Sequence, residues 1–249
     1  MIFFLSDFGL EDAYVGVVKA VIAGIAPEAR VVDLAHGLPP QDLRRAAYQL
    51  HEAVPYLPPG SIVLAVVDPG VGSERRAVAV EGARCRYVVP DNGLLSLVFE
   101  HDPPVGAHAL EDPRFRLSEV RRTFHGRDVF GPAAAHLAAG VSPAELGPPV
   151  PVGDLVRLPI GLVDGDAGEV LTFDRFGNAI TNLRQPASGA VAVRAAGRRL
   201  PLVTHYAAVG PGEPLALVGS AGLVEISVRD GDARAGLGLA EGHPVQILR

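Results

Sequence analysis

The most informative part of this sequence is SIVLAVVDPGVGSERR, at residues 61–76. Residues 62–67 are an uninterrupted apolar run, which is typical of a strand buried on both faces of a parallel sheet. Asp68 follows this strand directly, and Pro69 holds it in an extended conformation. Ligands of open α/β sheets bind beyond the carboxyl ends of the strands, so a functional group is expected at Asp68.

The loop after Asp68 is open to several interpretations. Asp-Pro-Gly is common turn chemistry, in which the carboxylate caps loop amides and Arg75 and Arg76 are solvated. A Rossmann methyltransferase also has a glycine-rich loop, but that loop opens a helix, whereas residues 77–80 look like a strand. In a functional loop, glycines such as Gly72 let a ligand approach the backbone, and one guanidinium turns back toward the carboxylate. A P-loop is excluded because Gly-Lys-Ser/Thr is missing.

The composition indicates a globular protein of one large or two modest domains. The chain has 249 residues, of which 48% are hydrophobic. A net charge of -6 without a basic run argues against nucleic acid as a partner. Cys85 is the sole cysteine, so an internal disulfide and a cysteine metal cluster are excluded. Asp7 interrupts the first apolar run too early for a signal peptide or a membrane span, and we therefore expect a cytoplasmic protein without a membrane partner.

Strands alternate with helices over the first part of the chain. This pattern predicts βαβ units and an N-terminal α/β domain with a mainly parallel central sheet. The strands are expected at 2–5, 30–34, 62–67, 77–80 and 86–89, and the helices at 13–26, 41–54, 94–100 and 129–139.

Two aspartates follow the first strand. Asp7 lies between a buried strand and a glycine turn, where its carboxylate can accept the two hydroxyl protons of a ribose diol or can hold the loop in an Asx turn. Asp12 stands before the helix at 13–26 and can cap its first turn.

Two histidines lie in polar loops. His36 is expected to be a hydrogen-bonding loop residue rather than a catalyst. His125 lies between Phe124 and Gly126, an environment that can keep its imidazole neutral and able to take a proton, although a lone histidine is more often structural. Asp68 and His125 form one site only if their loops converge.

A stretch rich in proline and glycine, at 140–159, marks the expected domain boundary. We place an α/β domain at 1–148 and a small all-β, barrel-like domain at 149–249, because short strands split by glycine turns replace the helical pattern. The expected strands are 170–173, 190–193, 200–203, 214–218, 223–228 and 245–248. Polar clusters at 174–182 and 219–225 suit a purine and an amino-acid head group, and equally suit hairpin turns.

Six motifs, taken in their order along the chain, resemble one family. They are Ser-Asp-Phe-Gly at 6–9, Pro-Pro-Gln-Asp at 39–42, Val-Asp-Pro-Gly-Val-Gly at 67–72, Pro-Asp-Asn-Gly at 90–93, Phe-His-Gly-Arg-Asp at 124–128 and Asp-Arg-Phe-Gly-Asn at 174–178. The sequence is similar to the S-adenosylmethionine hydroxide adenosyltransferases, relatives of the bacterial fluorinase and chlorinase. This resemblance implies an α/β domain, a β-barrel domain and a homotrimer with sites at subunit interfaces. It also implies the reaction of S-adenosylmethionine with water to give adenosine and L-methionine.

The resemblance also implies roles for particular residues. The family's water-handling set falls on Asp68, Arg75 and His125, with His125 and Asp68 drawing the proton and Arg75 orienting the water. Its substrate-binding residues fall on Asp7 for the ribose, on Phe176 and Asn178 for the adenosyl group, and on Asp12, Asp174, Ser220, Glu225 and the Ala233 backbone for the methionine portion or the adenine edge. The family implies no metal and no cofactor beyond S-adenosylmethionine as the substrate.

Competing functions stay open beside this one. A halogenase would use chloride or fluoride in place of water, although a carboxylate at Asp68 repels halide. A nucleoside-binding protein would keep the pocket without turnover. A methyltransferase would yield S-adenosylhomocysteine.

Overall fold

The computed structural model describes residues 1–186 and 188–249. These residues form two compact units, Met1–Leu158 and Pro159–Arg249. The expected boundary lay after residue 148. Residues 149–158 associate with the first unit because the Val150 N–H donates to the Ala107 carbonyl and the Leu158 N–H donates to Ser96 Oγ.

The first unit is built on a mixed sheet. Among the described residues it has six strands in the order β2-β1-β3-β5-β4-β6, with β4 antiparallel to both of its neighbours. The strands are β1 (Ile2–Ser6), β2 (Val31–Ala35), β3 (Ile62–Val66), β4 (Ala77–Gly82), β5 (Arg86–Pro90) and β6 (Pro104–Ala109). The helices are α1 (Tyr14–Ile25), α2 (Leu43–Ala53) and α3 (Gly131–Ala138).

The central strand β3 is buried along its whole length, as its apolar run predicts. Its side chains alternate between two hydrophobic cores. Val63 and Ala65 face the core that includes Leu50 of α2, whereas Leu64 and Val66 face the core formed with α1 and α3. Helices therefore cover both faces of the sheet. The predicted α/β architecture is confirmed, and a functional site is expected at the ends of the strands rather than on the faces of the sheet.

Two local predictions in this unit were wrong, and one strand was missed. Residues 94–100 form turns and a 3₁₀ segment instead of a helix, because Leu94, Leu95, Leu97 and Val98 are all buried and their spacing gives no single apolar helix face. Strand β6 was not predicted. Asp12 does not cap α1, whose N-terminal flanking residue is Ala13 and has no side-chain cap.

The second unit is an antiparallel sheet that nearly closes on itself. Its strand order is β10-β9-β13-β7-β8-β12-β11, and a bridge between Leu202, directly after β10, and Ala216 of β11 brings the two ends of the sheet together. The predicted all-β, barrel-like fold is confirmed. The strands are β7 (Ala167–Phe173), β8 (Ala179–Arg184), β9 (Ala192–Ala195), β10 (Arg198–Pro201), β11 (Pro214–Val218), β12 (Leu223–Val228) and β13 (Pro244–Leu248), and one short helix, α4, spans Ala233–Leu237.

Strand β8 and helix α4 were absent from the sequence prediction. Polar residues within β8 looked like a turn, but they are buried and hydrogen-bonded. Thr181 Oγ1 donates to the Val224 carbonyl, and Asn182 Oδ1 accepts the Glu169 N–H. Helix α4 has only five residues and is capped by Asp232, which accepts the Ala235 N–H. Within the described ranges, no helix is long and apolar enough to cross a membrane.

Candidate active site

The first and third strands bring two aspartates to one edge of the sheet. Strands β1 and β3 are parallel neighbours, with Ser6 beside Val66. Asp7 and Asp68 therefore emerge within one residue of the same level. Asn92, in the loop after β5, also reaches this edge, and its Nδ2 donates to the Val67 carbonyl at 2.9 Å.

Asp68 and Arg75 form a two-pronged ion pair. Arg75 Nε donates to Asp68 Oδ1 at 2.8 Å, and its Nη2 donates to Asp68 Oδ2. The two side chains, Arg75 and Asp68, are 10% and 6% exposed, so little water separates the charges. Two parallel N–H···O bonds fix the plane of the guanidinium, which stacks 5.1 Å from the centre of the Phe130 ring.

Arg76 points elsewhere. Its Nε donates to Asp91 Oδ2 at 2.8 Å, and its Nη2 contacts the Asp154 carbonyl. Of the two adjacent arginines, Arg75 is therefore the one that contacts Asp68. Sequence spacing alone left this choice open.

His125 joins the pair through the same guanidinium. Arg75 Nη2 lies 2.9 Å from His125 Nδ1. A guanidinium can only donate, so Nδ1 accepts and the proton of the neutral ring is on Nε2. Burial lowers the pKa of His125, and the Arg75 charge lowers it further. The loops of Asp68, Arg75 and His125 converge, as the predicted cluster requires.

A close backbone contact holds the two loops together. Gly72 has φ of +77°, and a Cβ placed on it would lie 2.5 Å from the Arg122 carbonyl oxygen. Arg122 also donates to the Gly72 carbonyl at 3.2 Å. The sequence analysis predicted that this glycine lets a ligand approach the backbone. In the structure it accommodates the loop that carries His125.

The loop after β1 is held by residues that sequence reasoning did not assign to a site. Ser6 Oγ is fully buried and lies 2.7 Å from His36 Nδ1. His36 is the hydrogen-bonding loop residue that was expected, and its carbonyl also accepts the Gly9 N–H. Asp7 Oδ2 accepts the Gln41 N–H at 2.7 Å. Asp7 is half-buried and Asp12 is exposed.

The second unit contains its own polar loop and cavity. Asp174 Oδ1 accepts the N–H groups of Phe176 and Asn178, and its Oδ2 accepts from Asn178 Nδ2 at 2.8 Å. Asp174 thereby fixes the Asn178 amide, while the Phe176 ring is 76% exposed. A cavity of about 720 Å³ lies here, lined by Phe176, Asn178, Tyr206, Ala207, Val228, Arg229, Asp230 and Gly231.

The other predicted residues of this unit differ in their surroundings. Glu225 is buried, and its Oε1 accepts the hydroxyls of Tyr206 and Ser227, each at 2.7 Å. Ser220 is exposed in the turn between β11 and β12. Ala233 is buried at the start of α4, where the next residue donates its N–H to the Gly177 carbonyl. Tyr206 was missed because a lone tyrosine in a loop carries no spacing signal.

The comparisons with known proteins agree along the chain. The S-adenosylmethionine hydroxide adenosyltransferase N-terminal domain matches residues 2–147, and the C-terminal domain of the same family matches residues 168–246. A Thermus thermophilus protein named (R)-S-adenosyl-L-methionine hydrolase is 60% identical over 99% of both chains. A fluorinase of Nocardia brasiliensis is 27% identical over 74% of this chain and 71% of its own.

A solved structure shows the same fold. It is described as a conserved hypothetical protein from Thermus thermophilus, is 58% identical, covers 99% of both chains and superposes with a TM-score of 0.89. The family models together match most of the chain, including the loops of Asp68, Arg75, His125 and Asn178. This chain belongs to the S-adenosylmethionine hydroxide adenosyltransferase family.

Proposed function

We propose that this chain hydrolyses S-adenosyl-L-methionine to adenosine and L-methionine by attack of water on the ribose C5′. The observation that carries the proposal is the Asp68–Arg75–His125 cluster, in which one guanidinium donates to both a carboxylate and a neutral imidazole. Membership of the family, and relatives named (R)-S-adenosyl-L-methionine hydrolase, supply the substrate.

Departure of the leaving group requires little assistance from the protein. A bond forms between the water oxygen and C5′ while the bond from C5′ to sulfur breaks, and its electron pair neutralises the sulfonium. Methionine leaves as a neutral thioether and needs no proton from a general acid. Water is the weak partner, because it must lose a proton as it attacks.

The cluster supplies a proton acceptor and a donor for that water. Each Asp68 oxygen accepts one N–H from Arg75 and has a further lone pair. His125 Nδ1 is engaged with Arg75, so its free nitrogen, Nε2, carries a proton. Asp68 therefore takes the proton in our proposal and His125 orients the water by donating to it. This assignment refines the expectation that both groups draw the proton.

The same geometry disfavours a halogenase. A halide site needs uncompensated positive charge or neutral donors, whereas the Arg75 charge is already paired with the Asp68 carboxylate. A second negative ion beside that carboxylate would be repelled in a poorly solvated site. Fluorinases are also the more distant relatives, at 27% identity against 60% for the hydrolase from Thermus thermophilus.

We assign the substrate contacts from the side-chain chemistry found in each unit. Asp7 accepts the ribose hydroxyls, and Asn178, fixed by Asp174, reads an edge of adenine while the exposed Phe176 ring stacks on it. The methionine portion or the adenine edge is contacted by Asp12, Asp174, Ser220, Glu225 and the Ala233 backbone. Since the named relatives act on the (R) form, the substrate here is the (R) epimer at sulfur.

The assembly in our proposal is a homotrimer with sites at subunit interfaces. Large apolar side chains are exposed at the loop and first turn that follow Asp7, with Leu10 at 76% and Tyr14 at 49%. Exposed apolar patches of this kind often mark protein contacts. Light scattering of the purified protein tests this, since a monomer at working concentration contradicts it.

The decisive experiment uses both sulfur epimers of S-adenosyl-L-methionine in ¹⁸O-labelled water, with and without chloride and fluoride. We expect many turnovers of adenosine labelled at the 5′-oxygen, formed from the (R) epimer, and loss of turnover in Asp68→Asn. A 5′-halogenated nucleoside would make the protein a halogenase. A single equivalent of bound nucleoside would make it a binding protein.

A further inference from the structure

The loop that carries His125 is closed by the buried carboxylate of Asp128, to which the proposed mechanism gives no chemical role. The Asp128 side chain is fully buried. Its Oδ2 accepts the Arg121 N–H at 2.8 Å, and it receives two bonds from Arg127, from Nε at 2.5 Å and from Nη2 at 3.0 Å. One side chain therefore ties together both ends of the segment 121–127.

The backbone of Asp128 also holds this loop through hydrogen bonds. Its N–H donates to the Phe124 carbonyl at 3.2 Å, and its carbonyl accepts the Leu117 N–H at 3.0 Å. Asp128 also lies within a π-helical turn, Gly126–Phe130, which leads into α3. Such turns are rare and occur frequently at functional sites.

The Asp128 N–H donates to the Phe124 carbonyl and its carboxylate binds Arg127, so its contacts lie on both sides of His125 in the chain. Arg127, held by Asp128, places its guanidinium 5.2 Å from the centre of the Phe124 ring. A Cβ on Gly126 would lie 3.0 Å from the Phe8 ring and 3.3 Å from the Phe124 ring, so the turn is closely packed. His125 thus lies in a segment that is fixed on both sides.

We propose that Asp128 is a positioning residue that holds the loop 121–127 so that His125 Nδ1 meets the Arg75 guanidinium. This inference rests on the proposed function, because the water is oriented by His125. Asp128 acts through the loop, because its buried carboxylate is bonded to Arg121 and Arg127. A displacement of about 1 Å in a reacting group costs on the order of 10²-fold in rate.

The proposal can be tested by the direction in which the pKa of His125 changes when Asp128 is removed. Arg75 and Arg116 lower the pKa of His125, whereas Asp68 and Asp128 raise it, and burial lowers it most. If Asp128 acted only through its charge, its removal would lower this pKa. If Asp128 positions His125, its removal releases the ring from burial and from Arg75, and the pKa rises toward its ordinary value.

The test compares Asp128→Ala with Asp112→Ala. Asp112 also pairs with a neighbouring arginine, through Arg114 Nε and Nη2, but near the surface. We measure kcat and KM with S-adenosyl-L-methionine, and we follow the His125 ring by NMR titration without substrate, assigned with His125→Gln. We expect Asp128→Ala to lose about 10²-fold in kcat with KM little changed, and to raise the His125 pKa, whereas Asp112→Ala changes neither.

Retained kcat in Asp128→Ala would overturn the proposal, and so would a loss of kcat with a lowered or unchanged His125 pKa. If Asp128→Ala does not fold, Asp128→Asn carries the test, because its one amide oxygen can still accept the Arg121 N–H, whereas its NH2 group cannot accept from Arg127 and the fork that fixes the other end of the segment is lost. Unaltered turnover in Asp128→Asn would then overturn the proposal. The titration needs no turnover, so it tests Asp128 even if the unaltered protein does not hydrolyse the substrate.

Discussion

Arg75 Nη2 donates to His125 Nδ1 at 2.9 Å, and this bond exists only while the imidazole is neutral. A proton on Nδ1 would place one N–H against another and bring two positive charges together. The same guanidinium is bound by both Asp68 oxygens. Protonation of one ring therefore disrupts the arrangement of three side chains.

The first prediction concerns pH. Burial and the Arg75 charge lower the pKa of His125 from its ordinary value near 6.5. The neutral ring is required, so kcat/KM should be constant above that pKa and fall as the pH drops through it, with the midpoint below 6.5. A pH profile of kcat/KM measures this. His136→Asn is the control, because burial also lowers the pKa of His136 but that ring packs on Phe115, away from the cluster.

A second prediction separates two adjacent arginines. Arg75→Lys keeps the charge but loses the planar fork that serves Asp68 and His125 together, so kcat should fall by about 10²-fold. Arg76→Lys should leave kcat unchanged, because Arg76 pairs with Asp91. Steady-state kinetics of the two variants decide the matter. Equal losses would show that the pairing seen around Asp68 is not what turnover requires.

A third prediction concerns the contact between the two loops. Gly60→Ala and Gly72→Ala both place a Cβ at positive φ, which costs about 1–2 kcal/mol. Only Gly72 also meets a backbone oxygen, that of Arg122, whereas a Cβ on Gly60 meets open space. Chemical denaturation should therefore show the larger loss of stability for Gly72→Ala. Turnover should fall in Gly72→Ala alone, and equal behaviour of the two variants would contradict the role of this contact.

A fourth prediction concerns two phenylalanines of the second unit. Phe176 is 76% exposed and Phe173 is 5% exposed in the core. Phe176→Ala should change the free energy of unfolding by less than about 0.5 kcal/mol, but should raise KM about tenfold or more, since stacking on a base contributes about 1–3 kcal/mol. Phe173→Ala should cost about 3–5 kcal/mol of stability. An unchanged KM in Phe176→Ala would remove this ring from substrate binding.

The sequence predicted most of the fold because its strongest patterns are local. The apolar run of β3 and the glycine-split strands of the second unit report burial directly. Residues 94–100 and strand β8 were misjudged for the opposite reason. The leucines of residues 94–100 suggest a helix although they form no single apolar face. Thr181 looks like a turn residue until its buried hydrogen-bond partner, the Val224 carbonyl, is known.

The candidate site was predictable in its residue types but not in its connections. Spacing placed Asp68 at a strand end, and the family motifs selected His125. The family motif also selected Arg75, but spacing could not show that Arg75 rather than Arg76 turns toward Asp68, because a choice between two adjacent residues depends on side-chain direction. Asp128 was visible only as the last residue of a motif, since its importance lies in bonds to Arg121 and Arg127 that a linear pattern does not encode.

The bridge between Leu202 and Ala216 has a consequence for the behaviour of the second unit in concentrated solution. An open antiparallel sheet presents rows of unpaired amides and carbonyls, on which strands of other molecules can assemble. Here the Val203 N–H, which lies two residues beyond the end of β10, donates to the Ala216 carbonyl at 2.8 Å, so the chain that follows β10 pairs with the outer strand β11. We expect this pairing to make the edge of β11 a poorer template for strands of other molecules.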